Sequence, residues 1–548
     1  MRKKIVYLLA RMRYPLKCTK IVATIGPSVT LKLSPSSTKD KNREDFDEVL
    51  SLFNNLFFNG LNCVRFNFSH SNNEERVFRL NLLRDIKKEF FIHFNQINKN
   101  NGESPYKFHF VFPISELCDT KGPEIRVCSM ANKEGQMYTR GQELKIYCLN
   151  KCEGNEKAFS VTDSTGKYNM AIDCIVGEKI LVDDGKLSLL IKGINKEEGI
   201  VEVVVENDHI VKGNKRINLP NAEYSMPFIS ERDKDDILFS LRNGFAFIAL
   251  SFVNKQEDIL AVRKLVRDNL EKGKIEPLII SKIETSQSLK NIDEIISQSD
   301  GIMIARGDLA LESPYYDVPY WTKKILSKAA KVGKPVIVAT QMLDSLERIV
   351  VPTRAEVSDV FRASELSADS TMLSGETAQG LFPLIAVSTM SRIVQAGEKH
   401  CNYNKLRDYC TKEIKSFRLL KLSDALHSER NKSSDSDILA CFIFEESLLE
   451  EEILALSKLK LPFPIIVFSK KKSYEEASRD LISQFSSIFR GVYIISLLNQ
   501  TSESLEECAR AFLDLSGVKQ NDSIFKISEK NNQKAILFER EEIKVISF

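Results

Sequence analysis

Between Cys18 and Glu398 short apolar runs alternate with amphipathic stretches, a rhythm that restricts the fold more than any other feature of the 548 residues. CTKIVATIG, NCVRFNFS and FHFVFPISELC read as strands one to three, with helices predicted over Glu44 to Asn59 and Glu74 to Phe90. FAFIALSFV, EPLIISKIE, GIMIARGDL, KPVIVATQML and DSTMLSGE read as strands four to eight, separated by helical periods such as QEDILAVRKLVRDNLEKG. Eight parallel-type strands, each followed by a helix, fit a closed (β/α)8 barrel better than an open sheet. The unbroken apolar character of strands four to seven suits burial on both faces.

The rhythm stops once. Between Glu124 and Pro227 it gives way to short alternating runs with glycine turns, EKILVDDGKLSLLI and GIVEVVVEND among them, which predicts a small all-β module inserted in the barrel. After Glu398 a charged connection leads into DILACFIFEE, FPIIVFS and RGVYIIS, a separate C-terminal α/β domain. The expected organisation is an extension over 1–17, an α/β barrel over 18–123 and 228–398, the inserted module over 124–227, and a C-terminal domain over 399–548. NKSSDSD and LSPSSTKDKN read as solvated loops.

Composition excludes some classes of function. With 78 basic and 75 acidic side chains the net charge is +3, which makes no case for nucleic acid or an anionic membrane as partner. The eleven cysteines include no CxxC pair and no Cys/His spacing of a zinc site, so they read as small core residues of a reduced intracellular protein. No apolar run reaches the ~18 residues that span a bilayer. Residues 1–17 are basic, contain no acid, and carry only a short apolar run, Ile5 to Ala10, shorter than a secretory core. They read as a short extension of a cytoplasmic protein, with an organelle transit segment as the alternative.

In such barrels the chemistry sits at the C-terminal ends of the strands. Strand two ends in Arg65, Asn67, Ser69 and His70, and strand three runs into Asp119, Thr120, Lys121 and Arg126. Strand five ends Lys282-Ile283-Glu284, which puts Lys282 and Glu284 on one side. Strand six ends Arg306-Gly307-Asp308, strand seven Thr340-Gln341, and strand eight Ser374-Gly375-Glu376-Thr377. Singly, each reads as a solvated loop residue, and Ser69 next to His70 is a poor nucleophile–base pair because adjacent strand residues face opposite ways. Their convergence on one mouth is the signal. Glu284 and Asp308 suit one hard cation, since magnesium takes few carboxylates and completes its shell with water and substrate oxygens. Lys282 and Arg65 suit a phosphate. Cations, a carboxylate-held metal and hydroxyls are what phosphoryl transfer requires, and no GxxxxGK[ST] loop is present.

The segments TKIVATIGPS, VRFNFSHS, DTKGPEIR, VDDGKL, INLPN, SKIET, ARGDLALE, VIVATQML, PTRAEVSDV and MLSGETAQG resemble the motifs of the pyruvate kinase family, in that family's order, from Cys18 to Glu398. The resemblance implies a TIM barrel with a small β-barrel lid, and transfer of the phosphoryl group of phosphoenolpyruvate to ADP, the last step of glycolysis. It assigns Lys282 to the transferring phosphoryl group and Arg65 to the substrate phosphate. Glu284 and Asp308 would bind Mg2+. Arg306, Gly307 and Asp308 would hold the substrate carboxylate through their backbone, and Thr340 would join them and relay a proton to the enolate. Asn67, Ser69, Asp119 and Thr120 match a K+ site, and Glu124 in the GPEIR motif implies potassium dependence. Arg126 and Lys215 match contacts to ADP/ATP phosphates, with Asn67, Ser69 and His70 on the same nucleotide-facing side. A homotetramer is implied as well.

The chain departs from the family pattern at Ala310, Val357, Phe361 and Arg362, and at Arg216, where the family has glycine before its VNLP. In the C-terminal domain FEESLLEEE replaces a loop that elsewhere holds a phosphate, so activation by fructose bisphosphate is not expected. Two other readings stay open: a magnesium-dependent lyase or aldolase on the same barrel, and a silent homologue that only binds.

Overall fold

The computed structural model describes residues 16–30, 33–35, 43–69, 72–100, 109–410, 414, 416–432, 438–448, 450–498, 504–516, 534–539 and 542–547. Most of the basic extension, His70, and parts of the two predicted solvated loops lie outside the described residues.

The apolar runs become eight strands of a closed barrel: β1 (Lys20–Thr24), β2 (Cys63–Asn67), β3 (Ser115–Asp119), β4 (Phe247–Leu250), β5 (Leu278–Ile283), β6 (Gly301–Ala305), β7 (Val336–Ala339) and β8 (Ser370–Leu373). Around the barrel they follow one another in chain order, β8 closing on β1, with parallel pairing as in Lys20 opposite Ser370 and Lys282 opposite Met303. Every residue of β1, β3, β4, β6, β7 and β8 is buried. Burial on both faces is what their unbroken apolar runs demand.

The third predicted strand is corrected. FHFVFPISELC is not one strand but two pieces, His109–Val111 and the barrel strand β3. Pro113 lies between them, with no N–H to give to a ladder and a fixed φ, so the run breaks there. His109–Val111 instead pairs antiparallel with Val492–Leu498, at the edge of the six-stranded C-terminal sheet. That sheet continues through Ile465–Lys471, Ile438–Phe444, Lys534–Glu539 and Glu542–Ser547, and its core gathers Cys441, Ile443, Val467 and Ile494.

The chain divides into two compact units, residues 1–118, 244–247 and 326–548, and residues 119–243 and 248–325. Within the second lies the predicted all-β module. Seven strands close a small barrel in the order Leu187–Asn195, Ile200–Val205, Glu143–Tyr147, Ala158–Thr162, Ile125–Val127, Arg216–Asn218 and Lys179–Val182. Its period-two pattern turns Ile180, Val182, Leu187, Leu189 and Ile191 inward. Asp183 and Asp184 make the hairpin turn at φ 54° and 58°, a left-handed region that Asp tolerates better than most residues.

Candidate active site

At the end of β5 the strand's alternation sends Lys282 and, two residues on, Glu284 to the same side. The Lys282 Nζ lies 3.0 Å from Asp119 Oδ1, 2.7 Å from Ser251 Oγ and 3.1 Å from Glu284 Oε1. Asp119 and Glu284 are almost wholly buried, at 1% side-chain exposure each. Ser251 follows β4 directly, its N–H donating to Thr120 Oγ1 and its hydroxyl to the Thr120 carbonyl at 2.7 Å. Gly122 (φ 71°) completes this corner, because a Cβ there would meet that of Ser251 at 2.8 Å.

Glu284 is held by one oxygen only. Its Oε2 accepts the Phe252 N–H at 2.7 Å, while the buried Oε1 has no hydrogen-bond partner and meets Lys282 only as an ion pair. Burial pushes the Glu284 carboxyl up to about 7; Lys282 and Arg216 oppose that rise, while Asp308 and Asp119 add to it. Asp308 sits in the first turn of the short helix Arg306–Glu312 after β6, so Arg306, Gly307 and Asp308 open a helix rather than end a strand. Its Oδ1 is 2.6 Å from Arg216 Nη1. At the far end of that helix Glu312 accepts from Asn218 Nδ2 at 2.7 Å and Tyr224 OH at 3.0 Å, and burial pushes it too up to about 7.

Asp119, Glu284, Asp308 and Glu312 therefore face Lys282 and Arg216, and Glu124, itself paired with Arg126 and Lys121, acts on Arg216 as well. A site with surplus buried carboxylate, and one carboxylate oxygen lacking a hydrogen bond, fits a divalent cation. Glu284 and Asp308, the residues expected for Mg2+, are the ones that would hold it.

The remaining expected residues divide between the units. In the first, Arg65 is buried and donates to Thr24 Oγ1 at 2.8 Å, and Asn67 Oδ1 accepts the Ser69 N–H at 3.1 Å. Thr340 and Gln341 leave β7 with positive φ, 67° and 52°. Strain of this kind at a strand end marks places where surrounding structure overrides backbone preference. In the second unit Thr120 follows Asp119, and Arg126 and Lys215 lie on and beside module strands. Arg126 Nη2 meets Glu124 Oε2 at 2.7 Å, and Lys215 Nζ meets Asp183 Oδ1 at 2.7 Å. Lys121, Glu124, Arg126, Thr162 and Asn214 line an open cleft there. After β8 the residues Gly375–Ala378 form a short helix rather than a strand end, and Glu376 there is structural, its two oxygens taking the N–H groups of Leu343 and Ser374.

Two residues carry more of the site than the sequence reading gave them. Ser251 went unnoticed although it is a hydroxyl directly after an apolar strand, the same signal that singled out the other strand ends. Arg216 was noted only as a departure, and nothing in its local sequence says that it reaches Asp308.

The model of the pyruvate kinase barrel domain matches residues 16–387. The pyruvate kinase of Mycoplasma genitalium is 40% identical over 467 residues, 83% of this chain and 87% of that protein. That of Mycoplasma pneumoniae is 41% identical over 468 residues, 84% and 87% of the two chains. Among solved structures, a pyruvate kinase from Cryptosporidium parvum superposes with a TM-score of 0.74 at 28% identity, covering 97% of this chain and 98% of that one. With the barrel, the inserted module and the Lys282–Glu284 site in place, the chain belongs to the pyruvate kinase family, and it is a phosphotransferase.

Proposed function

We propose that the chain transfers the phosphoryl group of phosphoenolpyruvate to ADP, giving pyruvate and ATP. The observation that carries this reading is the convergence of Asp119, Ser251 and Glu284 on the Lys282 ammonium, beside Asp308. Phosphoryl transfer asks the protein mainly for position and charge. Lys282, fixed by three partners, presents a cation that needs no reorganisation when charge moves onto the migrating group. Glu284 and Asp308 would hold a divalent ion, which would supply neutralisation of phosphate oxygens. Glu284 takes up that charge readily, because an added cation lowers the pKa that burial has raised. Arg65 binding the substrate phosphate, the backbone at Gly307 and Asp308 binding its carboxylate, and Thr340 relaying the enolate proton are carried by the family resemblance. The same holds for nucleotide phosphates on Arg126 and Lys215.

Potassium dependence belongs to this proposal through Asn67, Ser69, Asp119, Thr120 and Glu124. Glu124, paired with Arg126 and with Lys121 at 3.5 Å, is a carboxylate and cannot replace a cation's charge as a lysine ammonium at that position could. A cytoplasmic homotetramer is the accompanying reading. Among the described residues no helix is long and apolar enough to cross a membrane.

The test is pyruvate release from phosphoenolpyruvate, followed with ADP, Mg2+ or K+ omitted in turn. Pyruvate is expected only with ADP and Mg2+, and at least tenfold faster with K+. Pyruvate formed without ADP would instead identify a lyase, and no turnover under any ionic condition a silent homologue.

A further inference from the structure

Arg216 stands where the family resemblance leads one to expect glycine, and its side chain goes straight to an expected metal ligand. Its backbone is locked: the carbonyl accepts the Asp183 N–H at 3.0 Å, and its strand pairs with Ile125–Val127 and Lys179–Val182. The side chain crosses the Phe252 ring, 4.6 Å from its centroid, and puts Nη1 on Asp308. Phe252 is itself fixed in a left-handed conformation (φ 59°), with its N–H on Glu284. Arg216 Nη2 is buried and has no hydrogen-bond partner. A guanidinium is a planar fork of five donors that matches carboxylate or phosphate bidentately. Here one terminal nitrogen of the fork is spent on Asp308 and the other is buried unused, among the carboxylates where phosphate is proposed to react. A buried donor without an acceptor is costly, and a phosphate oxygen is the acceptor such a fork fits best.

We propose that Arg216 is a second phosphate-binding cation of the site, parked on Asp308 until a metal–phosphate complex arrives. The parked guanidinium neutralises Asp308 and repels an incoming divalent ion, so the free ion binds weakly. When ion and phosphate enter together, Asp308 exchanges Arg216 for the ion, and the freed fork turns to the phosphate oxygens. The inference rests on the phosphotransferase reading of the site.

Direct Mn2+ binding tests it without turnover. Free Mn2+ is measured by electron paramagnetic resonance with the full chain, alone and with saturating phosphoenolpyruvate, against protein-free controls, for native protein, Arg216→Gln and Arg216→Lys. The native chain is expected to bind Mn2+ at least tenfold more tightly with phosphoenolpyruvate than without. Arg216→Gln is expected to bind Mn2+ alone about tenfold more tightly than native and to lose most of the phosphoenolpyruvate enhancement. Arg216→Lys, which keeps the charge without the fork, falls between, and serves by itself if the glutamine variant does not fold. Equal Mn2+ affinity in native and variant chains, or a phosphoenolpyruvate enhancement that survives the change to glutamine, overturns the proposal. A chain that turns over normally yet shows that equality refutes the role of Arg216 and leaves the reaction standing.

Discussion

Around Arg490, four buried cations (Lys17, Lys20, Lys460, Arg490) share two carboxylates, Asp369 and Glu398, whereas around Lys282 two cations share four carboxylates. The Arg490 cluster spends nearly all of its valence. Lys17 donates to the Thr19 carbonyl and Asn62, Lys20 to the Val492 carbonyl, and Lys460 to Asp369 at 2.6 Å. Glu398 takes the Cys18 and Thr19 N–H groups, and Asp369 takes those of Val336 and Arg490. Arg490 gives both terminal nitrogens away, to Thr19 Oγ1 and Tyr403 OH, leaving only Nε unpaired. Its surplus of cations is relieved by burial, which brings Lys17 down to about 7 and Lys20 well below its usual range. The Lys282 cluster relieves a surplus of the opposite sign and keeps valence in hand at Glu284 Oε1 and Arg216 Nη2. Each cluster keeps one buried guanidinium nitrogen without an acceptor, and what sets the Lys282 cluster apart is the buried carboxylate oxygen of Glu284 that accepts no hydrogen bond.

Lys282→Met breaks the contrast most sharply. Turnover is expected to fall 10^3- to 10^4-fold, about 4–5 kcal/mol of transition-state stabilisation. Stability should move far less than the rate, because Glu284, whose carboxyl burial raises to about 7, takes a proton in place of the lost ammonium and Asp119 keeps the Ser251 hydroxyl. Steady-state kinetics beside a thermal melt checks both; a melt that collapses along with the rate erases the distinction between the clusters. In the other cluster the signs reverse. Asp369→Asn leaves Lys460 buried without its carboxylate and is expected to cost about 3 kcal/mol, the low end for a broken buried pair, since a lysine can shed its proton. Denaturant unfolding measures that cost, and kcat per folded molecule should stay native.

The Lys282 cluster was the more legible of the two, for a geometric reason. Lys282 and Glu284 stand two apart at the end of an apolar strand, and that spacing alone puts them on one side. Barrel closure then follows from eight repeats of one local pattern. Arg490 had no such signal: its partners Thr19, Tyr403 and Glu398 lie 471, 87 and about a hundred positions away, and no local period relates them. Arg216 failed for the same reason, since its meeting with Asp308 depends on how the module's last strand returns to the barrel. The misread third strand had its cue in plain view at Pro113. A proline inside an apolar run argues for two segments rather than one, and edge pairing with the C-terminal sheet is where a split-off piece can still satisfy its backbone.

The smallest expected effect sharpens the comparison through pH. Glu312 is buried against Asn218 and Tyr224, and its carboxyl is raised by burial to about 7, against 4.5 when unperturbed. A folded-state pKa above the unfolded one means that the folded chain binds more protons between those values, so this residue makes stability fall as pH rises from about 4.5 to about 7. Glu284 acts in the same direction, since its carboxyl is raised as well. Glu312→Gln keeps a carbonyl oxygen for Asn218 and Tyr224 and removes the titration. In metal-free protein the variant should therefore match the native chain near pH 5 and exceed it at pH 8, by on the order of 1–3 kcal/mol. Melting curves across that range decide it. Parallel pH profiles for the two proteins would mean that Glu312 stays ionised throughout, and that its neighbours, the Asn218 and Tyr224 donors first and then Arg216, hold it charged against burial.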